Sequence, residues 1–441
     1  MNKVADLVND VKRGNLEVDW KTQDSHFNSI LFYNLSNDPQ KRIAAKKILE
    51  GTKYHTLILK SDTDLNLKNA IALNQDDFIE TQERILDLIY PMSEKIILGV
   101  TGTNGKTTTV DLIRQIILQS KKKIITVGTL GVYLNEKRVE NFNLTTPNYI
   151  DLRKVLYKYR DSYDFFAMEL SSHALDQKRI GMLKFNQIGW TNLTQDHLDY
   201  HKSMNAYFEA KMNVFKILKE EGHVYLPYSQ KELRKKITTY DVNWHKNKIK
   251  TTNPFLQVSY NLDNLELAMN MLSNYIDLKM LDYDNIKAPP GRFNIVEYKN
   301  NYIIIDFAHT PDAIESISKE LRKSFPDKSL KVLFGCGGDR DKTKRPMMAK
   351  AAEKYSEFVY ITSDNPRFEN PEDIIEDSIQ GLQSNNFTKI TDRALAIKTA
   401  INELNNNVLL IAGKGHENYI DEKGIKRFYS DMDTVKEYIN D

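Results

Sequence analysis
The sequence predicts an α/β fold in which parallel strands alternate with helices. Two observations carry this. Residues Gly99 to Thr109 read GVTGTNGKTTT, directly after the apolar run Lys95 to Leu98 and directly before the amphipathic stretch Thr108 to Gln119, which gives the order strand, glycine turn, helix. From about residue 95 onward, short apolar runs alternate with helical patterns, the signature of parallel α/β layers. The strands expected on this basis are Ile124 to Val127, Asp164 to Met168, Gln187 to Trp190, Tyr302 to Ile305, Leu330 to Phe334, Phe358 to Thr362 and Val408 to Ile411. Breaks near Pro91 and at Ala288, Pro289, Pro290 and Gly291 divide the 441 residues into three expected domains, 1–90, 91–288 and 289–441.

Composition narrows the functional classes. Lys plus Arg outnumber Asp plus Glu by only 62 to 60, and basic runs such as Lys121 to Lys123 read as solvated turns, so no nucleic-acid partner is expected. The single cysteine, Cys336, excludes an internal disulfide framework and a cysteine-rich zinc site, and fits a reducing compartment. No run approaches the ~18 apolar residues of a membrane span, and the N-terminal MNKVADLVNDVKRGN has no long apolar core. The expectation is a cytoplasmic protein, monomeric, that acts on small molecules.

The glycine turn is a phosphate cradle. Its glycines, Gly99, Gly102 and Gly105, let successive N–H groups and a helix N-terminus face an anion, while Lys106 adds a charge and Thr107 a hydroxyl for magnesium. The spacing departs from the usual Gly-x4-Gly-Lys, because Val100 stands six before Lys106. Glu169 follows the buried-strand run Phe165 to Met168, where ligands bind in open α/β sheets; it is suited to magnesium or to capping the next helix. The run Asp196 to His201 is dense in metal-ligand types, although histidines of this kind also serve in packing. Lys211 lies on an apolar stripe with Tyr207, Val214 and Leu218. There it is either a buried, neutral amine or a lysine whose stem packs while its head reaches water.

Taken together, the motifs resemble those of the Mur ligases, ATP-dependent amide-bond-forming enzymes of bacterial peptidoglycan synthesis, from about Ile97 to the C-terminus. They are TGTNGKTT (101–108), TTP (145–147), ELSSHALDQKR (169–179), TNLTQDHLDYH (191–201) with Lys211, and YNLDN (260–264). In the third block they are PGRF (290–293), DFAHTPDA (306–313), GCGGDRDKTKRP (335–346), DNPR (364–367) and GKGHE (413–417). The resemblance implies the three-domain Mur ligase architecture: an N-terminal UDP-sugar domain, a central P-loop parallel-sheet ATP domain and a Rossmann-like C-terminal amino-acid domain. Within the family, the last three blocks look most like the members that join 2,6-diaminopimelate to UDP-N-acetylmuramoyl-L-alanyl-D-glutamate.

The resemblance also implies an acyl-phosphate route and a set of site residues. Gly102, Thr103, Asn104, Gly105, Lys106, Thr107 and Thr108 would hold the ATP phosphates, Asn264 the adenine, Asp306 the ribose, and Arg292 the phosphates from the other side of a domain interface. Two magnesium ions are implied, one held by Thr107 and Glu169. The second would be held by His197 and by Lys211 as a CO2-derived carbamate, which a neutral amine on an apolar stripe favours. For the UDP-muropeptide the matching residues are Thr145, Thr146, Ser171, Gln177 and Arg179, and for meso-diaminopimelate Arg340, Asp364, Asn365, Pro366, Arg367, Gly413 and Glu417. The N-terminal block departs from the family pattern. Asp24, Ser25 and His26 stand where the family carries Asp-Ser-Arg, no glycine loop is found, and Ser25 is the uridine candidate. Rival expectations are the same ligase using L-lysine, a folylpolyglutamate synthase-like ligase, and a catalytically silent nucleotide-binding cell-wall partner. Closure of the C-terminal domain about Ala288 to Gly291 is expected, because ATP contacts come from both sides of that segment.

Overall fold
The computed structural model describes residues 2–14, 16–36, 38–61, 65–247 and 249–440. They form three successive α/β sheets and a small hairpin. The first sheet has four parallel strands in the order Glu17–Asp19, Ser29–Asn34, Thr56–Lys60, Ala70–Leu73. Helices Pro39–Glu50 and Gln75–Ile89 accompany it, their first free N–H groups capped by Asp38 and Asn74.

The second sheet carries the phosphate cradle. Its eight strands run Val242–Asn243, Leu218–Tyr225, Phe185–Trp190, Ile96–Thr101, Phe165–Glu169, Ile124–Gly128, Gly131–Leu134, Lys137–Glu140, and only the last two pairings are antiparallel. Register decides what meets at the carboxyl edge. Val100 pairs with Glu169 and Thr101 with Trp190, so three loops begin side by side at the crevice where α/β sheets bind ligands. Helix Lys106–Gln119 leaves the first of these loops and buries Val110, Leu112, Ile113, Ile116 and Ile117 in the main core.

The third sheet has six strands, Asn294–Tyr298, Asn301–Asp306, Asn407–Ala412, Ser329–Cys336, Phe358–Ser363 and Phe387–Lys389, antiparallel only in the first pairing. The hairpin Tyr419–Glu422 with Ile425–Phe428 projects after it. All seven strands expected from the sequence are present; six are one to three residues longer, and the seventh, Phe165–Glu169, begins and ends one residue later than expected. One helix ends earlier than its stripe implies. Met204–Met212 carries Lys211, then a 3₁₀ turn over Asn213–Ile217 takes Val214 into the core, and Leu218 already opens a strand, because the chain must swing out to join the sheet. No helix among the described residues is long and apolar enough to cross a membrane.

A buried ion pair anchors the third block. Arg393 and Asp431 are both fully buried; Arg393 Nε and Nη2 donate to the two carboxylate oxygens at 2.8 and 2.7 Å, and Nη2 also donates to the Ala412 carbonyl at 2.9 Å. Replacing Arg393 by leucine leaves Asp431 as an uncompensated buried charge, and urea titration is expected to read a loss of about 3–5 kcal/mol.

Candidate active site
Three contiguous cavities lie along the carboxyl edges of the second and third sheets, of about 360, 690 and 210 Å³. Phe307 lines all three, and Arg292 the first two. The phosphate loop forms the floor of the largest. Gly102, at φ 140°, packs so closely on the strand-end segment that a Cβ there would lie 1.8 Å from Thr191 Oγ1. Lys106 Nζ curls back to donate to the Gly102 and Thr103 carbonyls at 2.9 and 2.8 Å, which holds a positive charge inside the loop. Burial lowers its pKa, against the pull of Glu169 and Asp196.

Thr107 and Glu169 meet. Thr107 Oγ1 donates to Glu169 Oε2 at 3.1 Å, and Thr129 donates through its N–H to Oε1 at 2.7 Å and through its hydroxyl to Oε2 at 3.1 Å. Glu169 is 1% exposed and forms no ion pair among the described residues, although a buried carboxylate ordinarily has a cation beside it. Together with the Thr107 hydroxyl it offers hard oxygen ligands, a donor set suited to magnesium. From the third block, Arg292 Nη2 donates to Thr107 Oγ1 at 3.2 Å while its guanidinium stacks 4.4 Å from the Phe307 ring.

Lys211 is buried, 1% exposed, with Nζ donating to the Gly102 carbonyl at 2.8 Å and lying 4.7 Å from the Tyr207 ring. Its head therefore does not reach water. Burial, reinforced by the Lys106 charge, pushes its pKa well down, which favours the free amine. His197 lines the same cavity in the left-handed conformation (φ 54°), and burial holds its imidazole neutral against the pull of Asp196. His201 does not join it there; its ring is buried and bonded to Ser172 Oγ at 2.9 Å.

The muropeptide candidates form one hydrogen-bonded strip. Thr129 and Thr145 hydroxyls lie 3.1 Å apart, Arg179 donates to the Thr146 carbonyl at 2.9 Å and to Gln177 at 2.6 Å, and Gln177 donates to the Tyr200 hydroxyl at 3.1 Å. Thr145 and Ser171 face the largest cavity. Thr146 stands behind the wall, fully buried, its hydroxyl donating to the Glu169 carbonyl at 2.8 Å and accepting from the Ser171 N–H at 3.0 Å. Ser25 lies apart from all three cavities, its hydroxyl donating to the Thr22 carbonyl at 3.0 Å.

Asn264 and Asp306 line the 360 Å³ cavity beside Asn104, Gly105 and Thr108. Asp306 accepts the N–H groups of Phe293 and Ala308, both at 2.7 Å, and so fixes the two loops that carry Arg292 and Phe307. The 210 Å³ cavity is lined by Arg340, Asp364, Asn365, Arg367, Gly413 and Glu417. Pro366 packs behind it, its carbonyl so near Gly338 that a Cβ there would lie 1.9 Å away. Beneath these residues the fully buried Lys414 pairs with Asp364 at 2.9 Å and Glu417 at 3.5 Å and donates to Asn365 Oδ1 at 3.2 Å. Arg367, at φ 51°, donates to the Gly338 carbonyl at 2.7 Å, and neither it nor Arg340 forms an ion pair among the described residues.

Residues 100–295 match the Mur ligase middle domain, and residues 291–415 the Mur ligase glutamate ligase domain. The chain belongs to the Mur ligase family. An Aquifex aeolicus relative named UDP-N-acetylmuramoyl-L-alanyl-D-glutamate--2,6-diaminopimelate ligase is 37% identical over 382 residues, 79% of this chain and 78% of the relative. A solved structure with the same ligase name superposes with a TM-score of 0.63 at 27% identity, covering 97% of this chain and 95% of the other. A folylpolyglutamate synthase from Thermotoga maritima shares the fold at a TM-score of 0.56 and 15% identity, covering 76% and 90%.

Sequence reasoning passed over several residues of this Mur ligase site. Lys344 reaches across to Asp196 at 2.8 Å, Lys414 organises the acidic wall, and Phe307 joins the cavities. Each sits inside one of the motifs GCGGDRDKTKRP, GKGHE and DFAHTPDA, but its burial and partner are set by tertiary structure.

Proposed function
We propose that this Mur ligase joins meso-2,6-diaminopimelate to UDP-N-acetylmuramoyl-L-alanyl-D-glutamate at the expense of ATP, in the cytoplasmic stage of peptidoglycan synthesis. The observation that supports the substrate assignment is the smallest of the three cavities, where two guanidiniums without ion pairs among the described residues, Arg340 and Arg367, share a wall with the carboxylates Asp364 and Glu417. Diaminopimelate has two carboxylates for the first pair and a distal ammonium for the second, whose two negative charges the single Lys414 does not fully offset, while its other amine is left to react. Residues 1–90 take the UDP-sugar, 91–288 the ATP and 289–441 the amino acid.

The chemistry follows from the order of the cavities. ATP lies with its base beside Asn264 and its phosphates on residues 102–108, so that the γ-phosphate enters the largest cavity near Lys106 and Arg292. The acceptor carboxylate attacks that phosphorus and ADP leaves. The amine from the smallest cavity then displaces phosphate from the acyl phosphate and forms the amide. Thr107 with Glu169, and His197 with a Lys211 carbamate, would hold two magnesium ions, which supply charge neutralisation between mutually repelling anions. Lys106 and Arg292 offset charge on the transferring phosphoryl group, and the shared walls shield the acyl phosphate from water.

The test is stoichiometric. Phosphate release from ATP is expected only when both the muropeptide dipeptide and diaminopimelate are supplied, with one amide per phosphate by mass spectrometry. Equal release with ATP alone would refute a ligase. Turnover of a folate with glutamate would favour the folylpolyglutamate alternative.

A further inference from the structure
Two cations of the largest cavity remain without a task. Arg138 lies on the strand Lys137–Glu140 at the edge of the second sheet, and Lys426 on the strand Ile425–Phe428 of the projecting hairpin. They come from different blocks, yet both line the cavity, and neither forms an ion pair among the described residues. Lys426 is steadied over the Tyr419 ring, 4.2 Å from its centroid. The other cations there have uses: Lys106 and Arg292 face the phosphate end, and Arg340 and Arg367 also line the amino-acid cavity.

The acceptor, on the function proposed above, ends in a D-glutamate with two carboxylates. One reacts and loses its charge. The other stays anionic throughout and enters a partly desolvated cavity, where it needs a counter-charge. No described residue of 1–90 lines this cavity, which points to the peptide end of the acceptor, and not its nucleotide end, beside Arg138 and Lys426. We propose that Arg138 and Lys426 form a two-sided clamp on the spectator carboxylate of the acceptor's terminal glutamate and thereby set specificity for an unamidated acceptor. The clamp is assembled from two blocks, so it holds the acceptor when the blocks are docked.

The test compares the natural acceptor with one whose spectator carboxylate is a carboxamide, in the wild-type protein and in Arg138→Met and Lys426→Met. Wild type is expected to prefer the carboxylate by on the order of 10- to 100-fold in KM, the range for a hydrogen-bonded charged partner. Each methionine variant is expected to lose most of that preference with little change in kcat or in affinity for ADP, and Arg138→Lys or Lys426→Arg to restore much of it. An unchanged preference in both variants, in a wild-type protein that turns over the natural acceptor, overturns the clamp alone. Failure of wild type to turn over either acceptor overturns the function and the clamp together.

Discussion
Alanine at position 211 is expected to lower kcat by on the order of 10²–10³-fold, the range for removing one preorganised charge-stabilising group, with far smaller changes in ATP affinity. Lys211 makes no salt bridge among the described residues, and its amine is turned onto the phosphate-loop carbonyl of Gly102. Burial disfavours the ammonium, so at neutral pH the unprotonated form that reacts with CO2 is available, whereas an ordinary lysine is almost wholly protonated. A carbamate keeps one N–H, enough to retain the bond to Gly102, and would place an anion in the cavity that His197 also lines. Partial recovery of Lys211→Ala by bicarbonate or small carboxylates is expected. Full activity of that variant, or an intact mass of wild-type Lys211 without CO2 adduct under rapid trapping, would exclude the carbamate.

The second large effect concerns the amino acid. Wild type is expected to favour meso-diaminopimelate over L-lysine by on the order of 10⁴-fold in kcat/KM, because lysine leaves a guanidinium in the cavity unpaired. Arg367→Ala should remove most of that preference, chiefly by losing diaminopimelate activity. Arg367 forms a backbone bond to the Gly338 carbonyl, and this fixes the stem while the rest of the fork can meet a planar carboxylate. Comparison of the two amino acids at equal concentration decides it. A lysine preference in wild type, or undiminished diaminopimelate turnover in Arg367→Ala, refutes the assignment.

Much of this molecule was legible before its structure, for physical reasons that differ by region. Strands buried on both faces, such as Phe165–Glu169 and Asn407–Ala412, read as continuous apolar runs, and the glycine turn marks one strand end unambiguously. The N-terminal sheet was not read out, because its edge strand Glu17–Asp19 is only three residues long and the expected Asp-Ser-Arg and glycine loop are missing. The stripe through Lys211 indicated burial, while the end of its helix at Met212 was set by sheet pairing and left no local signal. Thr146 illustrates the limit of motif reasoning at single residues. Its motif lies at the site, yet its hydroxyl is turned inward to support Glu169 and Ser171.

The hydrogen bond from Arg292 to Thr107 has a consequence for timing. The guanidinium belongs to the segment at which Gly291, at φ 68°, abuts the 415–416 backbone so tightly that a Cβ would lie 2.0 Å from the His416 nitrogen. The 415–416 loop beside Glu417 and the segment that carries Arg292 are thus packed as a single unit. On the proposed function, closure of the C-terminal block would bring the nucleophile's seat and the charge of Arg292 to the phosphate loop together. This packing would then act as an interlock, and ATP hydrolysis without both co-substrates is expected to be slow.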